Sequence, residues 1–237
     1  MESIRASGWA VLAAALLVAC AGQVDRRLEN ALRDALPRLL GPAERYDVSV
    51  RGADAGGSRV DEVRAVGIRV QRPSSPVLAR VDVTLADVAV DRAERRISSI
   101  GRAAVALHLS EQDLTAFLGR QQWVESGDVH FSGTDEITIA GRLGVPGLPA
   151  LSSPRAELRG RLVPRGAQLL LRVDAISLGD RAAPVWMRRI LEQTLNPLFD
   201  AADHAVPSQL DSVEAGAGEL VIRASGSDLS LRRPAPR

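Results

Sequence analysis

From Tyr46 to Leu231 the dominant pattern is a two-residue alternation of aliphatic and polar side chains. That is the period of strands with one face against a core. The clearest run is "VLARVDVTLADVAVD", in which Val77, Ala79, Val81, Val83 and Leu85 share one face and Arg80, Asp82 and Thr84 the other. The phase then flips, so that Val88 and Val90 continue the apolar row. A flip inside a long strand predicts a bulge, which bends and twists a sheet. "YDVSV", "VRAVGIRV", "AAVALHLS", "DVHFSG" and "EITIAGRL" read as further strands. In "RAELRGRLV", Ala156, Leu158, Gly160 and Leu162 oppose Arg155, Glu157, Arg159 and Arg161. "AQLLLRVDAISL" alternates through Leu169, Leu171 and Val173 and flips again before Ile176 and Leu178. "GELVIRAS" and "SDLSLR" predict a closing pair.

Helical spacing appears in three places. Leu28, Leu32, Leu36, Leu39 and Leu40 lie on one face of "VDRRLENALRDALPRLL", with Pro37 near its end. "SEQDLTAFL" predicts a short helix with Ser110 as N-cap and Asp113 three residues on. Pro184 opens "PVWMRRILEQTLNPLFDAAD", where Met187, Ile190, Leu191, Thr194, Leu195 and Leu198 make an apolar stripe that Pro197 bends. "LENALRDALPRLL" and "LEQTLNPLF" are faintly alike. Sequential strands with few helices between them predict an α+β domain: a long curved antiparallel β-sheet wrapped against two amphipathic helices.

The first residues follow a different rule. "WAVLAAALLVAC", residues 9–20, is apolar but shorter than the roughly 20 residues of a spanning helix. It fits the apolar region of an export signal, although Glu2 offsets Arg5 ahead of it. Leu17-Val18-Ala19-Cys20 resembles the lipobox of bacterial lipoproteins. That resemblance implies a signal peptide over 1–19, cleavage before Cys20, and acyl chains such as palmitate on its sulfur and new amino group. Several such chains anchor a protein stably to a membrane. Cys20 is the only cysteine, so a mature domain over 20–237 then has neither free thiol nor disulfide. The expected location is the cell envelope, facing the periplasm or exterior. Ala21 after the cysteine resembles the outer-membrane sorting pattern of cells with two membranes.

Composition narrows the chemistry. Cationic residues number 30 against 29 acidic ones, a balance that argues against a nucleic-acid partner. Every cation is arginine. Aromatics make up only 3%, so the core is built from Val, Leu, Ile and Ala, without aromatic platforms for bases. No GxSxG, HExxH, CxxC or P-loop motif occurs, and no catalytic set, metal site or cofactor is expected. "DAADHA" brings Asp200, Asp203 and His204 close in sequence, but a polar helix end with His204 near the dipole explains it equally.

The order of amphipathic helix, long meander, "LSEQDLTAFL", more strands, second helix and "AVPSQLDSVEAGAGELVIRASG" resembles the LmeA-like phospholipid-binding family of bacterial envelope proteins. The resemblance spans roughly Val24 to Leu231. It implies a tubular fold of the bactericidal/permeability-increasing (BPI-like) type, in which a sheet curls around a long helix and acyl chains lie in the groove. It offers no catalytic residues to carry over. Val81, Val83, Leu85, Leu158, Leu162, Leu169, Leu171, Val173, Met187, Ile190 and Leu191 are then the candidate groove walls. From the pattern alone an ordinary filled core serves as well. Arg92, Arg95, Arg96 and Arg102 in "DRAERRISSIGR" can grip lipid phosphates or form a solvated connection. Trp186 is expected in the core and Trp123 at a loop. The function expected is non-covalent binding or shuttling of phospholipid or related acyl lipids by an envelope lipoprotein, not an enzyme. The alternatives are a scaffolding lipoprotein acting through protein contacts, and an enzyme of envelope lipid or glycan metabolism that uses Asp200 and His204.

Overall fold

The computed structural model describes residues 25–34, 36–37, 40–54, 56–72, 75–91, 96–120, 124–143, 155–200 and 209–230. Helical residues 25–34 and 36–37 make α1. Strands β1 (Arg45–Ala53), β2 (Arg59–Val70), β3 (Leu78–Asp91) and β4 (Arg96–Ser110) follow as an antiparallel meander. After helix α2 (Glu111–Leu118), a second meander runs through β5 (Val124–Ser132), β6 (Glu136–Leu143), β7 (Ala156–Arg165) and β8 (Gln168–Leu178). Short β9 (Arg181–Ala182), helix α3 (Val185–Leu195) and short β10 (Phe199–Asp200) lead to the closing hairpin of β11 (Gln209–Gly216) and β12 (Glu219–Ser230).

The class is α+β, with every ladder antiparallel. The strands form two sheets rather than one: β1-β2-β3-β4-β12-β11, and β10-β8-β7-β6-β5 with β9 beside β8. The break falls at α2. Glu111 Oε1 accepts the Phe131 N–H (2.6 Å) and Thr115 Oγ1 accepts the Val129 N–H (3.0 Å), so the helix occupies the edge of β5 that would have extended the first sheet. The sheets meet at β11 instead. The Ala215 and Leu210 amides of its outer edge donate to Thr134 O (2.6 Å) and Gly166 O (2.9 Å), in the hairpin turns of the second sheet.

The phase flip expected after Leu85 is present, and it crosses most of the sheet. Asp87 faces Gly101 between the Ala86–Arg102 and Val88–Ile100 pairs. The same row continues to Asp61 of β2, Gly52 of β1 and Asp228 of β12. Positive φ falls on alternate members: Gly52 (69°), Asp87 (55°) and Asp228 (53°). Asp tolerates this left-handed conformation better than branched residues do. Because neighbouring strands flip at one level, pairing is unbroken there and no bulge marks the flip, the register of β3 and β4 shifting only between Ala89 and Val90. Val60, Val88 and Ile100 stay buried with Val63, Leu85 and Ala103. The second expected flip is a bulge at Asp174, where β7 pairs Arg159 with Ala175 but Gly160 with Val173.

Helix α3 is shorter than its sequence pattern. It ends at Leu195 with Asn196 as C-cap, the Asn196–Pro197 peptide is cis, and Phe199 pairs with Leu169. Pro197 therefore follows the helix rather than bending it, and the stripe beyond Leu195 is lost to β10. Buried Met187, Leu191 and Leu195 make the packed face, while Ile190 and Thr194 are exposed. Trp186, expected in the core, is 48% exposed.

Candidate functional site

Ten of the eleven expected groove residues lie together. Val81, Val83 and Leu85 of β3, Leu158 and Leu162 of β7, Leu169, Leu171 and Val173 of β8, and Met187 and Leu191 of α3 belong to one continuous apolar cluster spanning both sheets. Each is 1–8% exposed, so these side chains pack on one another. Ile190 is outside the cluster and 37% exposed, because it lies at the edge of the face that Met187, Leu191 and Leu195 bury. The buried members of the cluster are aliphatic except for Tyr46 and Phe131, and Phe117 and Phe199 pack against it from outside. Small branched side chains give walls with few fixed shapes, which suits a disordered hydrocarbon ligand as well as a self-packed core.

The wall made by α3 is attached in an unusual way. The Glu192 carboxylate accepts the Val173 N–H (2.8 Å). Asn196 accepts the Leu171 N–H through Oδ1 (2.6 Å) and donates through Nδ2 to the Leu171 carbonyl (2.9 Å). Glu192 and Asn196 are one helical turn apart and meet amides two residues apart on the strand, a match of about 6 Å to about 6.6 Å. Below them Phe199 pairs with Leu169, and above them Ala182 pairs with Ser177. The outer edge of β8 is thus shared between β10, α3 and β9, and the middle third is held by side chains rather than by a backbone ladder.

The same device recurs. Glu29 of α1 accepts the Val50 N–H at the edge of β1 (3.1 Å), as Glu192 does for Val173. The faint likeness of "LENALRDALPRLL" to "LEQTLNPLF" places Glu29 opposite Glu192, and that glutamate is the part of the likeness with a physical role. Residue types alone did not single out these acceptors, since a glutamate on an amphipathic helix reads as solvated.

Arg92 and Arg95 lie outside the described residues, as does the Arg96 side chain. Arg102 is exposed beside Asp87, 3.6 Å away. His108 lies on the outer face of the first sheet, with Nε2 3.2 Å from Asp82 and Nδ1 3.0 Å from Glu219. His130 is 3.6 Å from Glu111. Asp200 accepts a hydrogen bond from Gln168 (2.8 Å), while Asp203, His204, Trp123, Cys20 and the whole of 1–24 are outside the described residues. Among the described residues no group of three or more His, Cys, Asp or Glu is placed to hold a metal ion, and no helix is long and apolar enough to cross a membrane. An open cleft of about 790 Å³ between α2, β5 and β6 is lined by Thr115, Gly119, Ser126, Asp128, Arg142 and Arg155 among others. Apart from Ala140 its walls are polar or glycine, and it shares no residue with the aliphatic cluster.

The structure is an antiparallel two-sheet body whose helices are pinned to strand edges around an aliphatic cluster. The chain belongs to the LmeA-like phospholipid-binding family, whose model matches residues 19–225. No curated protein and no solved structure matches it.

Proposed function

We propose that this protein is an envelope lipoprotein that binds phospholipid or related acyl lipids non-covalently and passes them between membranes. The observation that carries the reading is family membership across 19–225, which contains the whole aliphatic cluster. The site would be the space between α3 and the two sheets, with Leu158, Leu162, Leu171, Val173, Met187 and Leu191 as walls in a tubular arrangement. These residues pack on one another, so an acyl chain enters by parting them. Helix α3 is the element suited to move, because three side-chain hydrogen bonds hold its C-terminal half to β8. Exposing a methylene to water costs about 0.8 kcal/mol, so a chain carried between membranes is favoured inside the core over free in water. No bond is made or broken in the lipid. Residues 1–19 would be removed in export, and acylated Cys20 would keep the domain, 20–237, beside its membrane, the outer one in a cell that has two.

The test is lipid extraction of the protein purified from cells, followed by mass spectrometry, with uptake of a fluorescent phospholipid as a second readout. Bound phospholipid and saturable uptake are expected. A lipid-free protein that takes up no probe, and that crosslinks to one protein in cells, overturns the reading in favour of a scaffold. For the anchor, Cys20→Ala should abolish palmitate labelling and leave the signal attached.

A further inference from the structure

We infer that the N-terminal half of α3 is a membrane-docking surface that meets an anionic phospholipid bilayer. Val185, Trp186 and Ile190 are 60%, 48% and 37% exposed. Among the described residues only Val163 joins them as an exposed large apolar side chain. They are not scattered. On a helix of 3.6 residues per turn, Trp186 and Ile190 stack one turn apart, and Val185 and Arg189 form the neighbouring column. Val185, Trp186 and Arg189 point away from Met187, Leu191 and Leu195, the face against the core, and Ile190 lies at the border between the two. A helix whose apolar residues extend this far beyond the buried face exposes more apolar surface than a surface helix of a water-soluble fold needs.

Charge identifies what covers the second face. Arg188 and Arg189 lie on the same helix and Arg181 four residues before it, while the nearest acids in sequence are Asp180 and Glu192, of which Glu192 is bonded to the Val173 N–H. The first turn of α3 has no acid and no side-chain cap, so these cations add to the positive end of the helix dipole instead of opposing it. Cations gathered at that end, around an exposed tryptophan, are destabilising in water. They become favourable where tryptophan meets the headgroup level and guanidinium groups meet phosphates. The docked face and the core face belong to the same short helix. Docking would therefore place α3, whose other face seals the aliphatic cluster, at the headgroup level. The docking itself needs no bound cargo and is independent of the shuttling reading.

The experiment uses the full chain mixed with vesicles of phosphatidylcholine and phosphatidylglycerol in equal parts, some carrying brominated acyl chains. Emission from Trp186, read as the difference between the protein and its Trp186→Phe variant, should shift to the blue and be quenched by the brominated lipid. Quenching should fall to the level seen on pure phosphatidylcholine in the Arg181→Gln/Arg188→Gln/Arg189→Gln variant, and should fall with added salt, since exposed charges are screened. Fluorescent-lipid uptake from micelles should persist in Trp186→Ser/Ile190→Ser, separating the surface from the cargo site. Trp186 emission indifferent to brominated lipid on a vesicle-bound chain overturns the inference. So does quenching equal on neutral and anionic vesicles, or a patch that is buried in a concentration-dependent dimer instead.

Discussion

Asn196 and Leu171 exchange a pair of hydrogen bonds, Leu171 N–H to Oδ1 and Nδ2 to the Leu171 carbonyl, so a side-chain amide stands in for a neighbouring strand residue. An exposed strand edge invites pairing with other chains, and proteins cover such edges with helices, charges or turns. Here three helices do so with acceptors aimed at backbone amides: Glu29 on β1, Glu111 and Thr115 on β5, and Glu192 and Asn196 on β8.

Asn196→Ala removes both partners of Leu171 at a partly buried position. Leaving two backbone groups unpaired is expected to cost about 2–4 kcal/mol in urea unfolding. Glu192→Gln retains an acceptor for Val173 and should cost less than about 1 kcal/mol. Equal losses in the two variants would mean that α3 is held by its apolar face alone.

The row from Gly52 to Asp228 gives a second test. A Cβ added at Gly101 would lie 2.7 Å from Asp87 Cβ, closer than packed atoms approach. Gly101→Ala should destabilise by about 1–3 kcal/mol. Asp87→Gly removes that Cβ and relaxes the positive φ, and its own effect should be small. The double variant should recover most of the Gly101→Ala loss. Additive free energies in the cycle would show that the two positions do not touch.

Tyr46 is the only tyrosine, and the chain has no lysine, which clears the alkaline range of competing side chains. Its hydroxyl donates to Gly41 O at 2.7 Å. Burial raises its pKa above the usual 10.0, with nearby Arg72 opposing in part. A phenol whose folded pKa is raised keeps its full contribution below about pH 10 and loses it as pH climbs through the folded value. Absorbance at the tyrosinate band should therefore titrate at higher pH in the folded chain than in urea. Tyr46→Phe should flatten the alkaline fall in stability. Coincident folded and unfolded titrations would show the ring to be solvated.

The strands, their phase flips and the aliphatic cluster were legible because alternation with period two carries burial directly: Val81, Val83, Leu85, Leu158 and Leu162 all fall where the pattern places them. The division into two sheets was not, because it depends on which edge α2 takes, and Glu111 and Thr115 look like ordinary surface residues until Val129 and Phe131 lie beside them. Helix α3 was overextended for a similar reason. The spacing of Leu191, Leu195 and Leu198 continues the helical period, but Asn196 prefers the backbone of Leu171 to another turn. Trp186 misled because aromatic size usually decides for burial, whereas here the buried face was already filled by Met187 and Leu191.

Asp113 links α2 to β2, two strands away from β4 at the same end of the first sheet. It is 7% exposed, accepts hydrogen bonds from Ser110 Oγ and Arg69 Nη1 at 2.6 Å each, and meets Arg69 where the β2 backbone turns left-handed (φ 55°). Arg69 is 44% side-chain exposed and can rehydrate, so Asp113→Ala should cost about 2–3 kcal/mol rather than the full penalty of a buried ion pair. The effect should not stop at α2. Loosening its first turn withdraws Glu111 and Thr115 from β5, and the amides of Phe131 and Val129 lose their acceptors. Hydrogen exchange at those two amides should then accelerate more than at Ile137 or Ile139, which lie on the paired strand β6. Uniform acceleration across β5 and β6 would mean that the pair stabilises the whole domain and that α2 does not guard the edge of β5 separately.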